Sequence, residues 1–378
     1  METYRKPKGS LISYFSNKVK NHGGINLAQG IPGFAPPPEL LESLQQQSLE
    51  GHHQYAPSHG DSTLLAILAA RYSKTIDVTT KSILIVQGAT EALNLVIIYL
   101  RQLLNRSFTV MSFDPSYESY KNLPPIYGCK FVAYPLNENN SFDPEELRLF
   151  MQKNDVKLLF YASPGNPYGK VFTKEETDAL LTLSREEDIF IAIDAVYREL
   201  YFEKRPYIPI ESFNHRIFYI NSFSKVFSIT GWRIGYLIAH QIHMPAIRSI
   251  HDYTGLCAPN LFQKALADYL PKNHFGRPYV EGIREILGHN FTTMKTTLQQ
   301  LGFSVPRIDG GYFVWGKLPA GFPDGFKTAM KLYENQELAT IPGEHFSDRA
   351  KDYLRLNIAR PEEEVEEACR RLTTFFSK

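Results

Sequence analysis

Three polar side chains follow apolar runs of the chain, at the points where those runs end. Asp194 closes the run IFIAID, Asn166 follows KLLFYASPG, and Lys225 follows RIFYINSFS, with Arg233 eight residues later. A lysine amine can act as a nucleophile or a base, and a carboxylate needs a cationic or donor partner when it is buried. Because open α/β sheets bind ligands at the carboxyl ends of their strands, these residues predict one shared ligand site.

Each of these residues also has an ordinary structural explanation. Asp194 suits a helix cap or a salt bridge, and Asn166 suits a turn. Gly88, Ala89 and Thr90 follow SILIVQ and open a helix, where free backbone N–H groups suit a phosphate but also occur at any helix start. None of these residues predicts a ligand site by itself, so the prediction rests on all of them together.

Several common motifs are excluded. The segment GNPYGK at 165–170 has three residues between its glycines, where a P-loop needs four, and Val171 stands where Ser or Thr is required. No predicted strand is followed by GxGxxG, and neither GxSxG nor HExxH occurs. His240 and His243 form an isolated HxxH, so we expect no metal site.

The elements that must position these residues are seven short apolar runs separated mostly by helix-length stretches. This alternation predicts an α/β fold with a seven-stranded, mostly parallel sheet covered by helices. The gap between Lys225 and Arg233 is too short for a helical crossover, so we expect the seventh strand to be antiparallel. The runs are SILIVQG, FTVMSFDP, KFVAYPL, KLLFYASP, IFIAIDAV, RIFYINSFSK and RIGYLIA.

The pattern predicts three regions. Residues 1–40 form an arm rich in glycine and proline that belongs to a small domain, and residues 41–274 form the large domain. Residues 275–378, with a long helix, short strands and the closing helix PEEEVEEACRRLTTFF, form a smaller α+β domain.

The composition excludes several classes of protein. Of the 378 residues, 41 are Lys or Arg and 40 are Asp or Glu, and the net charge of +1 disfavours nucleic acid as a partner. The sequence contains no run of 18 apolar residues, so we expect no membrane span. Its N-terminus lacks the apolar region of a secretory signal. The 3 cysteines show no CxxC spacing, which fits a reducing compartment, so we expect a cytoplasmic protein.

Taken together and in this order, the motifs resemble the pyridoxal-phosphate-dependent aminotransferases of fold type I, class I/II. Within that family the chain looks most like the branch acting on methionine, glutamine and aromatic amino acids, including kynurenine; FDPSYESY and IPGEHFS are typical of it. The matching stretches are NLAQGIPGF, QYAPSHG, QGATEAL, FDPSYESY, SPGNPYG, AIDAVY, SFSKVFSITGWRIG, DGGYFVW, IPGEHFS and YLRLNIAR.

The resemblance implies how the cofactor, pyridoxal 5'-phosphate, is bound and used. Lys225 is expected to bond covalently to it and then, as a free amine, to carry a proton between the substrate's α-carbon and the cofactor. Asp194 is expected to face the protonated ring nitrogen, Tyr197 and Asn166 to donate to the phenolic oxygen, and Tyr117 to stack on the ring.

The resemblance also implies a phosphate site that takes one residue from a second subunit. Tyr55 is expected to reach across from a partner, which predicts a homodimer. The residues expected from the same chain are Gly88, Ala89, Thr90, Ser222 and Arg233.

For the substrate, the resemblance implies that Arg355 in YLRLNIAR grips the α-carboxylate bidentately, with Asn166 and the backbone of Gly30 completing the grip. Arg360 is five residues further on. Alternation along a strand places it on the opposite face, so we expect a solvated or structural charge there.

The sequence leaves substrate choice open. Leu256 and Cys257 replace an aromatic-histidine pair seen in some kynurenine aminotransferases, and no arginine falls between His251 and Lys272, which disfavours aspartate-type substrates. We expect an aminotransferase acting on a neutral amino acid and a 2-oxo acid. The alternatives are a carbon-sulfur β-lyase on the same scaffold and, more remotely, a non-catalytic effector-binding module. The latter would need a DNA-binding domain ahead of it, for which we expect the roughly 25 residues before NLAQG to be too few.

Overall fold

The computed structural model of the chain describes residues 4–73, 78–137, 140–209 and 214–377. Its largest sheet has seven strands in the order β2-β8-β7-β6-β5-β3-β4. The strands of the chain are β1 Ile25–Asn26, β2 Ile83–Val86, β3 Thr109–Asp114, β4 Lys130–Pro135, β5 Val156–Ala162, β6 Phe190–Asp194, β7 Ile217–Ser222, β8 Gly235–Ala239, β9 Phe313–Lys317, β10 Leu338–Ala339, β11 Ile341–Pro342 and β12 Tyr353–Asn357.

The predicted α/β fold class is confirmed. Strand β8 runs antiparallel to both of its neighbours, β2 and β7, and the other pairs in the large sheet are parallel. The expected antiparallel seventh strand is therefore also confirmed.

Helices cover both faces of this sheet. The α-helices are α1 Leu11–His22, α2 Pro38–Leu49, α3 Ser62–Tyr72, α4 Ala89–Leu104, α5 Glu118–Ile126, α6 Pro144–Lys153, α7 Lys174–Glu186, α8 Phe223–Val226, α9 Met244–Thr254, α10 Asn260–Lys272, α11 Arg277–Gln300, α12 Gly325–Gln336 and α13 Glu362–Phe376. None of these helices is both long and apolar enough to cross a membrane.

The apolar runs form strands because both of their faces are buried. In β2, Ile83 and Ile85 belong to one hydrophobic cluster, whereas Leu84 and Val86 belong to the cluster on the opposite face. Alternate side chains of a strand point to opposite faces, so a continuous apolar run suits a strand between two helical layers. Local signals set the helix ends; Thr173, for example, accepts from the backbone N–H of Glu176 at the start of α7.

The C-terminal part of the chain forms a second, smaller sheet, in the antiparallel order β11-β12-β9. The N-terminal arm lies against this region, because β1 pairs in parallel with β10. The backbone N–H of Leu27 donates to Ala339 at 2.9 Å, and that of Asn357 donates to Leu27 at 2.8 Å. The domain limits at residues 40 and 274 stay a prediction.

Candidate active site

A cavity of about 270 Å³ lies where the central strands of the large sheet end. It combines residues from the arm, from the starts of α4, α5 and α8, and from β12. The sequence-predicted residues that line it are Gly30, Ala89, Thr90, Tyr117, Asn166, Asp194, Tyr197, Ser222, Lys225, Arg233 and Arg355. Two predicted residues do not line it: Gly88 lies next to it against Arg233, and Tyr55 is 80% exposed.

Lys225 carries the amine of the site. It lies in the short helix α8, which begins directly after β7, and the hydroxyl of Ser222 accepts from the backbone N–H of Ser224 at 3.1 Å. Its Nζ donates to the carbonyl oxygen of Gly30 at 2.7 Å. Burial, helped by the charges of Arg355 and Arg233, lowers the pKa of Lys225 to about 8. The amine is therefore much more easily deprotonated than an ordinary lysine.

Asp194, the last residue of β6, is a buried carboxylate. Its Oδ2 accepts from the hydroxyl of Tyr120 at 2.8 Å, and its Oδ1 accepts from the backbone N–H of Val196 at 3.1 Å. Burial raises the pKa of Asp194, while these two bonds and the charge of Lys225 act in the opposite direction. Within the described ranges it forms no ion pair with an arginine, lysine or histidine, so a cationic ligand group would complete its environment.

The start of α4 and Arg233 together form a cradle of hydrogen-bond donors. Gly88 has φ +85°, and a Cβ placed on it would come within 2.5 Å of Nη2 of Arg233. Arg233 is held by two carbonyl oxygens, those of Gln87 and Thr230, each at 3.0 Å. Glycine is thus required at 88 both for its backbone conformation and for the close approach of the guanidinium. A helix N-terminus beside an arginine suits a phosphate.

Arg355 is a buried cation that lacks a carboxylate partner. It is 1% exposed, and its terminal nitrogens donate to Asn166 Oδ1 at 3.1 Å and to the carbonyl of Ala28 at 2.6 Å. Its guanidinium carbon lies 4.1 Å from the ring centre of Phe313 and 4.6 Å from that of Phe346. Burial lowers its pKa to about 10. No described carboxylate lies within ion-pair distance of it, so the site can accept an anion there.

Two tyrosines shape the wall of the cavity. Burial raises the pKa of Tyr197, so its phenol stays protonated and can donate a hydrogen bond. Its ring meets that of Tyr312 edge-on at 5.1 Å, and the Tyr312 hydroxyl donates to the carbonyl of Gly30 at 2.9 Å. Tyr117 presents its ring from the start of α5, where it is perpendicular to the ring of Tyr120.

Tyr120 and Glu118 are among the lining residues that sequence reasoning missed. Tyr120 lies in the first turn of α5, three residues after Tyr117, which directly precedes that helix. Glu118 Oε1 accepts from the hydroxyl of Ser10 at 3.1 Å, and its Oε2 lies 2.9 Å from Nε2 of His345. Burial alone would raise the pKa of Glu118, but His345 and Ser10 hold it below its ordinary value. A negative charge therefore lies in the cavity wall.

Arg360 differs from the expectation in one respect. Strand β12 ends at Asn357, so alternation along the strand does not determine where Arg360 lies. Its Nη2 donates to the carbonyl of Asn26, and a Cβ on Gly33 would come within 2.9 Å of its Cδ. Arg360 is thus a partly buried structural charge that holds the arm, and the solvated alternative is wrong.

Comparison with known proteins gives a consistent family. The family model described as "Aminotransferase class I and II" matches residues 22–372. Among curated proteins, a probable aspartate aminotransferase of Methanocaldococcus jannaschii is 29% identical over 91% of this chain and 91% of its own length. An aspartate aminotransferase of Bacillus subtilis is 28% identical over 96% of this chain and 93% of its own.

Solved structures give the same picture. The aspartate aminotransferase from Thermus thermophilus with maleate matches with a TM-score of 0.90 and 25% identity, covering 99% of this chain and 100% of that one. The N-succinyldiaminopimelate aminotransferase from Mycobacterium tuberculosis matches with a TM-score of 0.89 and 26% identity, covering 97% of each chain.

Proposed function

The chain belongs to the class I and II aminotransferases, which are pyridoxal-phosphate-dependent enzymes of fold type I, and on that premise we propose that it transfers the amino group of a neutral amino acid to a 2-oxo acid. The proposed donor is methionine, glutamine or an aromatic amino acid of the kynurenine type. One observation carries the proposed amino transfer: Arg355 is a buried cation without a carboxylate partner in the described chain, and it shares its cavity with the Lys225 amine.

The residues of the cavity fit pyridoxal 5'-phosphate. The cradle formed by Arg233, Ser222 and the start of α4 would hold its phosphate, and Asp194, which lacks a cationic partner in the described ranges, would face its ring nitrogen. When bound, this cofactor supplies an electron sink that stabilises the negative charge left when the α-proton is removed.

The chain's own residues would divide the remaining work. Lys225, with its pKa near 8, would hold the cofactor covalently and then move a proton as a free amine. Asp194 would keep a positive charge on the ring nitrogen, and Tyr197 and Asn166 would donate to the phenolic oxygen. The ring of Tyr117 would stack on the cofactor.

For the substrate, the proposal rests on how charges are distributed in the cavity. Arg355 would bind the α-carboxylate through two parallel bonds, aided by Asn166 and the backbone of Gly30. Arg233 is the other arginine among the described lining residues, and it already belongs to the cradle that would hold the phosphate. Glu118 contributes a negative charge, which would repel a second carboxylate. A neutral side chain fits this balance best.

Two other activities have specific support. The relatives described above are named for aspartate or N-succinyldiaminopimelate, which favours an acidic substrate. A β-lyase that expels a thiol from the β-carbon would use the same amine and the same carboxylate, so the cavity residues fit both reactions.

The experiment that separates these activities is a profile of amino donors with several 2-oxo acids. The donors are methionine, glutamine, phenylalanine, kynurenine and aspartate, and cystathionine is added as a β-lyase substrate. The assay scores 2-oxo product against released thiol and ammonia. We expect the highest kcat/KM for a neutral donor. Aspartate as the best donor, or thiol release faster than transamination, would contradict the proposal.

We also propose that the enzyme is a homodimer in which Tyr55 contacts the partner's cofactor phosphate. Tyr55 is 80% exposed and Tyr253 is 91% exposed, and the side chain of Leu256 is about half exposed. Asn260 Nδ2 donates to the carbonyl of Gln54, so these segments lie together. An exposed aromatic group of this kind suits a subunit interface. The cytoplasmic location stays a prediction.

A further inference from the structure

A second cavity, of about 390 Å³, lies outside the candidate active site. It is formed by the end of α3, the segment after β6 and the start of α11. Its lining is strongly basic, since five arginines face only two glutamates, Glu199 and Glu281, among the described residues. The arginines are Arg71, Arg198, Arg205, Arg277 and Arg284.

One of the two glutamates of this cavity, Glu199, is already paired with arginines. Glu199 Oε1 accepts from Arg71 at 3.2 Å, from Arg198 at 3.0 Å and from Arg205 at 2.7 Å. Burial alone would raise the pKa of Glu199, but these three arginines hold it below its ordinary value. One carboxylate cannot neutralise three guanidinium groups, so positive charge remains in excess.

The arginines are also held in place. The guanidinium carbon of Arg71 lies 4.3 Å from the ring centre of Phe275, and that of Arg284 lies 3.7 Å from the ring centre of Tyr201. Nε of Arg284 donates to the carbonyl of Tyr201 at 2.9 Å. Nε of Arg198 is buried and has no hydrogen-bond partner in the part of the chain that the structure describes. A ligand would therefore meet donors whose conformational freedom is already reduced.

We propose that this cavity binds a small oxyanion with two or more negative charges, of the phosphate or polycarboxylate type. Planar guanidinium groups match the paired oxygens of both, and two charges would offset the excess left around Glu199. The site is separate from the active site, although a small cleft shares Arg71 and Glu199 with it and Val196 and Ser222 with the active site.

The test is isothermal titration calorimetry of the holoenzyme with inorganic phosphate and, separately, with citrate, against sodium chloride at matched ionic strength. Using the holoenzyme keeps the cofactor in its own cradle. We expect saturable binding of at least one of the two anions, and the tighter one identifies the class of ligand. Saturable binding of neither anion would overturn the proposal.

Variants locate the binding. The double variant Arg277→Gln/Arg284→Gln should weaken binding at least tenfold, because both arginines line the cavity and neither bonds to Glu199. Arg106→Gln is the matched control, since Arg106 pairs with Asp155 and lies outside the lining, and it should bind as the parent does.

Two further variants keep the test decisive. If the double variant does not fold, Arg205→Gln replaces it. The Arg205 side chain is 45% exposed, so its substitution should be tolerated, and its bond to Glu199 places it at the cavity. Unchanged affinity in the cavity variant would overturn the proposal. So would a loss of binding in Arg355→Ala, which would assign the anion to the active site.

Discussion

The hydroxyl of Tyr120 donates a hydrogen bond of 2.8 Å to Oδ2 of Asp194. The carboxylate at the end of β6 is therefore held from helix α5 as well as from the backbone N–H of Val196. Both bonds favour the ionised carboxylate, against a burial that disfavours it. Tyr120 thus acts on the proposed chemistry through Asp194, as a positioning residue.

Tyr120→Phe should lower kcat by about tenfold, since a hydrogen bond to a charged group contributes roughly 1.5 to 3 kcal/mol. The pKa of Asp194 should rise further when the donor is lost, so the acid limb of the kcat profile should move to higher pH. Tyr333→Phe is the control, because the Tyr333 hydroxyl bonds to the carbonyls of Lys18 and Gly23 and the residue does not line the cavity. A reduced melting temperature with an unchanged pH profile would assign Tyr120 to stability alone.

The rate of cofactor binding should increase as Lys225 loses its proton. Only the free amine is a nucleophile, and burial lowers the pKa of Lys225 to about 8, against 10.5 for an ordinary lysine. The rate at which cofactor-free protein takes up pyridoxal phosphate should therefore rise with pH, with a midpoint near 8 rather than above 10. Stopped-flow absorbance measures this rate.

The same shift affects stability. Between about pH 8 and 10.5 the unfolded chain binds more protons at Lys225 than the folded chain does, so the cofactor-free protein should gain stability as pH rises through this window.

The role of Lys225 in the reaction is tested by Lys225→Ala. The parent should be yellow, whereas the variant should lose transamination almost completely. A variant with near-normal turnover would remove Lys225 from the mechanism.

Asp194→Asn should fold and still lose at least about a hundredfold in kcat, because an amide cannot balance a positive ring nitrogen. Circular dichroism and melting temperature check the fold, and steady-state kinetics checks the rate. Activity retained in the Asn variant would leave Asp194 with a purely structural role.

Arg355 and Arg360 should separate substrate binding from stability. Arg355→Ala should lower kcat/KM at least about tenfold, since it removes a charge-assisted contact, and Arg355→Lys should recover only part of this loss. Arg360→Ala should leave KM unchanged but lower the melting temperature by about 2 to 4 °C, because the bond to Asn26 is lost. A larger kinetic defect in Arg360→Ala than in Arg355→Ala would reverse the two roles.

The proposed dimer predicts complementation. Tyr55→Ala and Lys225→Ala should each be impaired alone, but a mixed dimer contains one site with both residues intact. Refolding the two variants together should therefore restore part of the activity, and refolding either with itself should not. Equal activity before and after mixing would show that Tyr55 does not serve the partner's site.

Strand ends could be recognised from sequence, which is why Asp194 and Lys225 were predicted to share one site. Their positions follow from local apolar runs and from the geometry of parallel sheets. Contacts that join distant elements could not be predicted in this way. Glu118 meets Ser10 and His345, which are 108 and 227 residues away along the chain, and nothing local in its sequence marks it.

Arg360 shows the opposite kind of failure, a local rule applied past its range. The alternation argument assumed that the strand continues, but β12 ends at Asn357. The side chain of Asn357 donates to the carbonyls of Gln29 and Ile31, so the chain turns there to meet the arm. A strand boundary that depends on such a distant contact is not visible in the residues themselves.

The arm's attachment to the other end of the chain bears on how the protein is made. The backbone N–H of Leu27 donates to Ala339, the carbonyl of Ala28 accepts from Arg355, and the neighbouring Gly30 forms part of the cavity wall. A ribosome completes residues 27–30 long before it reaches 339 and 355, so this wall has no native partner during most of translation. The wall that would bind the substrate carboxylate is therefore completed late in biosynthesis, because a nascent chain must reach the end of the small sheet before the arm can pack as it does in the finished protein.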